Sequence, residues 1–276
     1  MASTALSAMS VGSIVKLNVN GAPKEFLVVH QGKPGSMYDE SCNGTWLLMK
    51  DVYENRQWHS SNVNDYENST IDSYLNSTFL GLFDPEIQAV IKQVKIPYRK
   101  GSGTSKTVTS GANGLSCKIF LLSSTEVSFN HSYMPTNEGA ELSYFKGCAD
   151  DSSDNKRVAY LNGSATLWWL RSPNTSSNAS NALYVYTNGY WGGNYCSNSY
   201  GVRPALVLPS SLFISEDGTV KTNEAPVITS TSGQSGVDLG EKSATFSIQY
   251  AVSDADGDIL TITEKVDGVA KKTRES

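Results

Sequence analysis

The chain has 276 residues, of which 39% are hydrophobic and 18% are charged, and its net charge is −5 at pH 7. This composition fits a folded protein with a sizeable core and excludes a disordered chain. Nothing in it suggests nucleic acid as a partner, and no apolar run approaches the ~20 residues that cross a bilayer. The first residues lack the basic start and apolar stretch of a secretory signal, so no signal peptide is expected.

In chain order, strands are predicted first and then two helices. After a tail over residues 1–10, "GSIVKLNVNGAPKEFLVVHQ" alternates with a period of two and turns at Asn20-Gly21, which predicts a hairpin. The stretch "GTWLLMKD" predicts a buried strand. "NSTIDSYLNSTFLGLF" and "DPEIQAVIKQV" then carry apolar residues at helical spacing, and each predicts a helix with one apolar face.

Further along, "WWLRSP" and "GVRPALVL" predict two core strands on either side of residues 174–200. From residue 223 onward, short alternating stretches and turn signals are typical of a β-sandwich. An immunoglobulin-like sandwich needs ~100 residues, so we interpret residues 223–276 as an incomplete module of that type. The main domain is predicted to span residues 11–222.

No residue pattern commits the chain to catalysis or to metal binding. The three histidines, His30, His59 and His131, lie in no nucleophile or ligand spacing. The four cysteines are widely spaced, which favours free buried thiols, with one or two disulfides as the alternative if the protein works outside a cell. "DADGD" places carboxylates as in a calcium loop but departs from the full loop, and an Asp-rich turn is the favoured interpretation.

Residues 174–200 have the composition of a binding loop. Of these 27 residues, 21 are Asn, Ser, Thr, Gly or Tyr, and none is charged. Leu183 and Val185 alternate with Tyr184 and Tyr186, so in a strand the aliphatic pair is expected to face the core and the tyrosines to face outward. Exposed Tyr and Trp bring contact area, and Ser, Asn and Gly bring adaptable hydrogen bonds. A polar meander that merely stays soluble is the alternative.

"WWLRSP" followed by "GVRPALVL" resembles an uncharacterised domain family of Firmicutes and their phages, and upstream blocks such as "IDSYLN" and "RVAYLNGSATLWWLRSP" fit it too. That family looks like a branch of the C-type lectin fold, distantly similar to formylglycine-generating enzymes and phage tropism proteins. The resemblance therefore implies an α+β fold with two helices packed on small antiparallel sheets. The enzymatic activity does not carry over, because no matching pair of catalytic cysteines is present.

In several similar families, the stretch before the final "GVRP" strand is the variable region of a diversity-generating retroelement. Adenine-specific errors at AAY codons leave Asn, Ser, Tyr, Gly and similar residues, which matches residues 174–200. Trp191 departs from this rule, because its codon does not end in a pyrimidine. Trp191 is then either fixed scaffold or under a different rule.

The resemblance and the composition together predict a non-enzymatic ligand-binding protein without cofactor or metal. Its expected setting is a phage tail virion or another extracellular surface, its expected partner is a host cell-surface protein or glycan, and other virion subunits are candidates through the Ig-like region. A fixed carbohydrate-binding module and a structural virion or cell-surface protein are the alternatives. The expected contact residues are Asn174, Ser176, Asn178, Asn181, Tyr184, Tyr186, Tyr190, Trp191, Asn194, Tyr195 and Asn198. The expected scaffold anchors are Trp168, Trp169, Arg171, Val185 and Arg203, the two arginines through hydrogen bonds to loop carbonyls or carboxylates.

Overall fold

Strands dominate the part of the chain that the computed structural model describes, which is residues 4–148, 150, 152–176, 179–222, 226–230, 250–254, 260–266 and 269–275. In chain order the strands are β1 (Thr4–Ala5), β2 (Ile14–Val19), β3 (Ala22–Gln31), β4 (Thr45–Met49), β5 (Glu54–Gln57), β6 (Val94–Ile96), β7 (Leu115–Cys117), β8 (Ile119–Phe120), β9 (Ala159–Leu161), β10 (Ser164–Thr166), β11 (Trp168–Pro173), β12 (Asn181–Val185), β13 (Trp191–Tyr195), β14 (Ser199–Val202), β15 (Ala205–Leu208), β16 (Phe213–Ile214), β17 (Val220–Lys221), β18 (Val227–Ser230), β19 (Tyr250–Ser253), β20 (Thr261–Val266) and β21 (Val269–Glu275).

Helical structure is short. The two α-helices are α1 (Thr70–Tyr74) and α2 (Pro85–Val90), a π-helical turn covers Leu75–Phe79, and 3-10 turns cover Leu6–Ala8, Glu40–Cys42, Leu80–Leu82, Gly111–Asn113, Ser143–Phe145 and Asn155–Arg157.

Two five-stranded sheets form the centre of the fold. The first has the order β2-β3-β4-β15-β8, and the second has the order β13-β12-β11-β14-β5. The predicted N-terminal hairpin is confirmed: β2 pairs with β3 in antiparallel register, and Asn20 and Gly21 have φ of 55° and 71°, as a type I′ turn requires. The predicted buried strand is confirmed as β4, whose five residues are all buried.

Buried hydrophobic side chains form two clusters, and neighbouring residues of β11 divide between them. Trp169 belongs to one cluster, and Trp168 and Leu170 belong to the other. Successive side chains of a strand point to opposite faces, so both faces of β11 are covered. This double burial is why "WWLRSP" lacks the polar alternation of a half-exposed strand.

The expected α+β C-type lectin-like fold, with two helices packed on small sheets, is wrong for this chain. Of the residues that the structure describes, 39% lie in strands and 14% are helical, and these residues form no closed barrel. The apolar stripes behind the helix predictions are real, since Ile71, Leu75 and Phe79 are buried. The regular α-helix nevertheless ends at Tyr74, and the chain continues as a π-turn and then a 3-10 turn. Helical spacing therefore marked a buried face but overstated helix length.

"GVRPALVL" also differs from its prediction as one core strand. It supplies β14 to the second sheet and β15 to the first, with Arg203 and Pro204 between them. Proline has no backbone N–H to donate within a sheet. The chain can therefore change sheets at Pro204 without leaving a backbone donor unpaired there.

The C-terminal region contains two antiparallel pairs, β18 with β19 and β20 with β21. The rest of the expected Ig-like module, including most of "DADGD", lies outside the described residues.

Candidate functional site

Residues 174–200 form an ordered part of the second sheet. The segment supplies β12 and β13, which pair in register from Asn181↔Tyr195 to Val185↔Trp191, and the first two residues of β14. Trp168 of β11 pairs with Val185 on one side and with Gly201 on the other. Leu183 and Val185 are fully buried, which confirms the expectation that they face the core. The segment is therefore held by core packing along its middle.

Tyr184 is not an outward-facing residue, contrary to expectation: only 4% of its surface is exposed. Its ring lies across Gly192 of β13, where an added Cβ would fall 2.5 Å from Tyr184 Cζ. It also packs in edge contact with Trp169, at 5.9 Å between ring centroids. Glycine opposite the tyrosine leaves room for the ring to lie down on the sheet, which is why the ring is buried and why its burial raises the pKa of the phenol.

Tyr184 belongs to a row of aromatic side chains on one face of the sheet. The Tyr184 ring lies 4.9 Å from Tyr186 and 4.9 Å from Tyr200, and Asn194 Nδ2 donates to the Tyr200 hydroxyl at 2.8 Å. Tyr186 is exposed, and Asn194 and Tyr200 are half-buried. We call these four residues, Tyr184, Tyr186, Asn194 and Tyr200, the tyrosine face. Sequence analysis did not include Tyr200 among the contact residues.

Trp191 is also buried rather than displayed, at 9% exposed. Its ring lies 4.7 Å from His131 and 6.3 Å from Tyr133, both of which belong to a loop outside the segment. Tyr190 packs on Trp191 at 5.8 Å. These contacts tie β13 to the neighbouring loop, and they fit the alternative in which Trp191 is fixed scaffold.

Asn174 is the third expected contact residue that the structure buries, at 8% exposed. Its carbonyl accepts from Asn64 Nδ2 at 3.2 Å, its side-chain oxygen accepts from the Ser176 N–H at 2.9 Å, and its amide nitrogen covers Gly193. An asparagine that bonds the backbone in this way is an element of the turn. Asn174 therefore closes the base of the segment.

The remaining expected contact residues are distributed as follows. Ser176, Tyr186 and Tyr195 are exposed; Asn181, Tyr190, Asn194 and Asn198 are half-buried; and Asn178 lies outside the described residues. Thr187, Asn188 and Ser199 are exposed as well, although sequence analysis did not single them out.

Beneath the segment, Arg171 is fully buried in an ion-pair network, which bears out its expected hydrogen bonds to carbonyls and carboxylates. Its guanidinium binds the Glu126 carboxylate through two hydrogen bonds of 2.6 and 2.7 Å, and donates to the carbonyls of Leu121 and Pro97. Ser172 donates to the Glu138 carboxylate, which also accepts from the Arg99 N–H at 3.0 Å. Burial raises the pKa of Glu138, although Arg171 opposes this shift. The network fixes β11 to the loops that precede it.

Arg203 is buried in a different environment. Its Nε donates to the Met49 carbonyl and its Nη2 donates to the Lys50 carbonyl, both at 2.9 Å. Its guanidinium lies 4.8 Å from the centre of the Trp168 ring. Both carbonyls belong to the end of β4, whereas the expected partners were loop groups at the base of residues 174–200.

Sequence analysis missed Glu126, Glu138, Arg99 and Asn64, which build the floor under the segment. All four are buried polar residues in loops. Glu126 follows Ser123, Ser124 and Thr125, and Glu138 precedes a glycine, which is ordinary surface composition. Their buried position depends on partners 33 to 45 residues away, such as Arg171, and short-range patterns carry no information on such pairs.

The cysteines are free and buried, as favoured by the sequence, and burial raises the pKa of Cys42 to about 11 and that of Cys196 to about 12. Such thiols are poor nucleophiles at neutral pH. Within the described part of the chain, His, Cys, Asp and Glu side chains form no group of three suited to a metal ion, and no helix is long and apolar enough to cross a membrane.

The fold and the segment define a mostly-β domain that holds a polar, tyrosine-rich hairpin on a densely packed core. Residues 43–210 match the sequence model of a family described as a domain of unknown function, DUF6273. The match covers more than half of the chain, and the chain belongs to this family. No curated protein and no solved structure matches it.

Proposed function

We propose that the chain is a non-enzymatic recognition protein that binds its partner through residues 174–200. The observation that carries this proposal is that the segment contains two kinds of side chain, buried ones that pack in the core and exposed ones around them. Leu183, Val185 and Trp191 hold the hairpin in the core, while exposed Asn, Ser, Thr and Tyr side chains surround it; of these, the Tyr186 ring rests against buried Tyr184. Among the described residues of the segment, the exposed ones are Ser176, Tyr186, Thr187, Asn188, Tyr195 and Ser199.

The tyrosine face is the proposed centre of contact. Tyrosine rings offer a large contact area at low entropic cost, and the packed Tyr184 and Tyr200 restrict the neighbouring Tyr186. Preorganised side chains lose less conformational entropy on binding than mobile ones do. Asn194 and the exposed residues around the face supply adaptable hydrogen bonds at its rim.

The setting and the source of variability rest on the family resemblance. We propose that a retroelement diversifies the exposed positions, that the protein belongs to a phage tail or another surface structure, and that the partner is a host surface protein or glycan. Buried positions constrain this process: Gly192 and Gly193 face Tyr184 and Asn174 closely enough that a side chain there displaces them. Diversification is therefore expected to spare both glycines and Trp191.

Sequencing the gene in many clonal isolates tests this proposal directly. We expect substitutions to concentrate at the six exposed positions and at AAY-type codons, and to be absent from Leu183, Val185, Gly192 and Gly193. An invariant segment with mixed third bases would instead favour a fixed carbohydrate binder, in which the tyrosine face stacks on sugar rings. Variation spread evenly over buried and exposed positions would contradict both.

Stability measurements give a second test that needs no partner. Replacing Tyr195 by Ser is expected to change the free energy of unfolding by no more than ~0.5 kcal/mol, because this exposed side chain fills no part of the core. Gly192→Ala is the matched control, with an expected loss of ~1–3 kcal/mol from overpacking against Tyr184. Equal sensitivity at Tyr195 and Gly192 would mean that the segment is packed structure, and the proposal would fail.

A further inference from the structure

The chain contains five Asn-Gly pairs, and the structure places them in very different surroundings. In such a pair the backbone nitrogen of the glycine can attack the side-chain carbonyl of the asparagine, because glycine has no side chain to obstruct the approach. Asparagine is a chemically labile residue wherever the backbone is free to make this attack. The asparagines of the five pairs are Asn20, Asn43, Asn113, Asn162 and Asn188.

Three of the pairs are tightly packed against other parts of the backbone. A Cβ added to Gly44 would lie 2.5 Å from the carbonyl oxygen of Leu208. At Gly114 and Gly189 the nearest carbonyl oxygens lie 2.7 and 2.0 Å from the same position. The N–H of Gly114 also donates to the Gly111 carbonyl at 2.9 Å. These peptide units have no room to rotate, so packing opposes closure of a ring at all three.

The pair Asn188-Gly189 lies in the turn of the β12–β13 hairpin and is held by hydrogen bonds as well. The Gly189 N–H donates to the Tyr186 carbonyl at 2.9 Å, and the Asn188 side-chain oxygen accepts from the Tyr190 N–H at 3.1 Å. The nucleophile and the amide are therefore both engaged. Asn188 is expected to keep its amide although its side chain is exposed.

The two remaining pairs, Asn20-Gly21 and Asn162-Gly163, are open. No heavy atom lies within 4 Å of a Cβ added to either glycine. The N–H groups of the two glycines donate to no acceptor among the described residues. Asn162 and Gly163 have φ of 52° and 80°, which is the backbone of a two-residue hairpin turn, and both are exposed.

The strands beside the turn distinguish the two open pairs. Asn20 donates its N–H to the Leu82 carbonyl at 2.7 Å, and its hairpin belongs to a five-stranded sheet. Asn162 joins β9 to β10, which have three residues each and form a two-stranded sheet. A short two-stranded hairpin opens locally at a lower free-energy cost than a strand pair inside a larger sheet. Opening gives Asn162 the rotational freedom that the attack requires.

We propose that Asn162 is a site of spontaneous deamidation. Hydroxide removes the proton of the Gly163 N–H, the nitrogen forms a bond to Cγ of Asn162, and the side-chain nitrogen leaves as ammonia after taking a proton from water. Water then opens the succinimide ring at either carbonyl and leaves aspartate or isoaspartate. Each event adds one negative charge to a chain of net charge −5. The new carboxylate arises in a cavity of about 490 Å³ that Lys24 and Lys50 also line.

The test is incubation of the folded full chain at mildly alkaline pH, followed by peptide mapping with mass spectrometry. We expect Asn162 to lose its amide first and Asn20 more slowly, while Asn43, Asn113 and Asn188 keep theirs. The same chain in urea is the control. There the five pairs should react at similar rates, because the differences between them come from the fold.

Gly163→Asn gives a second test, because asparagine tolerates a positive φ and its side chain hinders the attack. This variant should slow the loss of the Asn162 amide several-fold, and Gly21→Asn, the matched control, should leave the rate at Asn162 unchanged. Retention of all five amides in the folded chain, equal rates at all five, or a rate that Gly163→Asn does not alter would each overturn the proposal. None of these outcomes bears on partner binding by residues 174–200, so the proposed function and this inference fail independently.

Discussion

Arg171 and Arg203 flank the same segment and are both buried, yet their surroundings differ. Arg171 is matched by the Glu126 carboxylate at 2.6 Å, with Glu138 also close enough to stabilise its charge. Arg203 meets backbone carbonyls and the face of Trp168, and its pKa falls where that of Arg171 rises. A buried charge with a carboxylate partner and a buried charge held only by carbonyls and an aromatic ring should therefore contribute differently to stability.

The largest effect is expected from breaking the compensated pair. Glu126→Ala leaves Arg171 buried without its bidentate partner and removes the acceptor of the Tyr38 hydroxyl. We expect a loss of ~3–5 kcal/mol in the free energy of unfolding, measured by urea denaturation. Glu126→Gln is the milder companion, since its side-chain oxygen still accepts one hydrogen bond. A loss below ~1 kcal/mol for Glu126→Ala would show that the pair contributes little to the fold.

A smaller loss is expected at the uncompensated arginine. Arg203→Met leaves the Met49 and Lys50 carbonyls without donors, which costs ~1–3 kcal/mol, but it also removes a buried charge that no carboxylate neutralises. The methionine chain retains the apolar contact with Trp168. Unfolding in urea should place this variant above Glu126→Ala in stability. The reverse order would mean that Arg203 is as structural as Arg171.

The smallest effect concerns pH and the second carboxylate of the Arg171 network. Burial raises the pKa of Glu138, so the folded chain keeps a proton that the unfolded chain has released. Stability should therefore fall as the pH rises from the ordinary glutamate pKa to the raised one, by at most ~1.4 kcal/mol per pH unit for one proton. Glu138→Gln should flatten this part of the stability-versus-pH curve, while Glu216→Gln at the surface should leave it unchanged. An unaltered slope in Glu138→Gln would assign the dependence to another group.

Local patterns predicted those parts of the fold that depend on neighbours in sequence. The Asn20-Gly21 turn specified its hairpin, and unbroken apolar runs specified β4 and β11, because these preferences act within a few residues. Helix length was overstated after Ser69, because a buried stripe of Ile71, Leu75 and Phe79 is compatible with a π-turn as well as with an α-helix. The local hydrophobic and turn patterns did not indicate which strands share a sheet.

The candidate site was predicted in outline and missed in detail for the same reason. Composition located residues 174–200 and alternation placed Leu183 and Val185 inside. Alternation alone also placed Tyr184 outside, but its exposure depends on Gly192, the residue opposite it in β13. Glu126 pairs with Arg171, which lies 45 positions away in the sequence, and no short-range sequence pattern indicates such a pair.

The change of sheet at Arg203 and Pro204 has a mechanical consequence. Residues 174–200 end within β14, and only Arg203 and Pro204 separate the end of β14 from β15, which is hydrogen-bonded on both sides by β4 and β8. Tension applied to the segment by an attached partner would pass along this short link into the interior of the other sheet. There the force acts on β15, a strand inside the sheet. Its hydrogen bonds to β4 and to β8 resist the force together. A surface that must stay attached while its carrier moves would gain from such a route, because the C-terminal end of the segment is held through an interior strand of the other sheet.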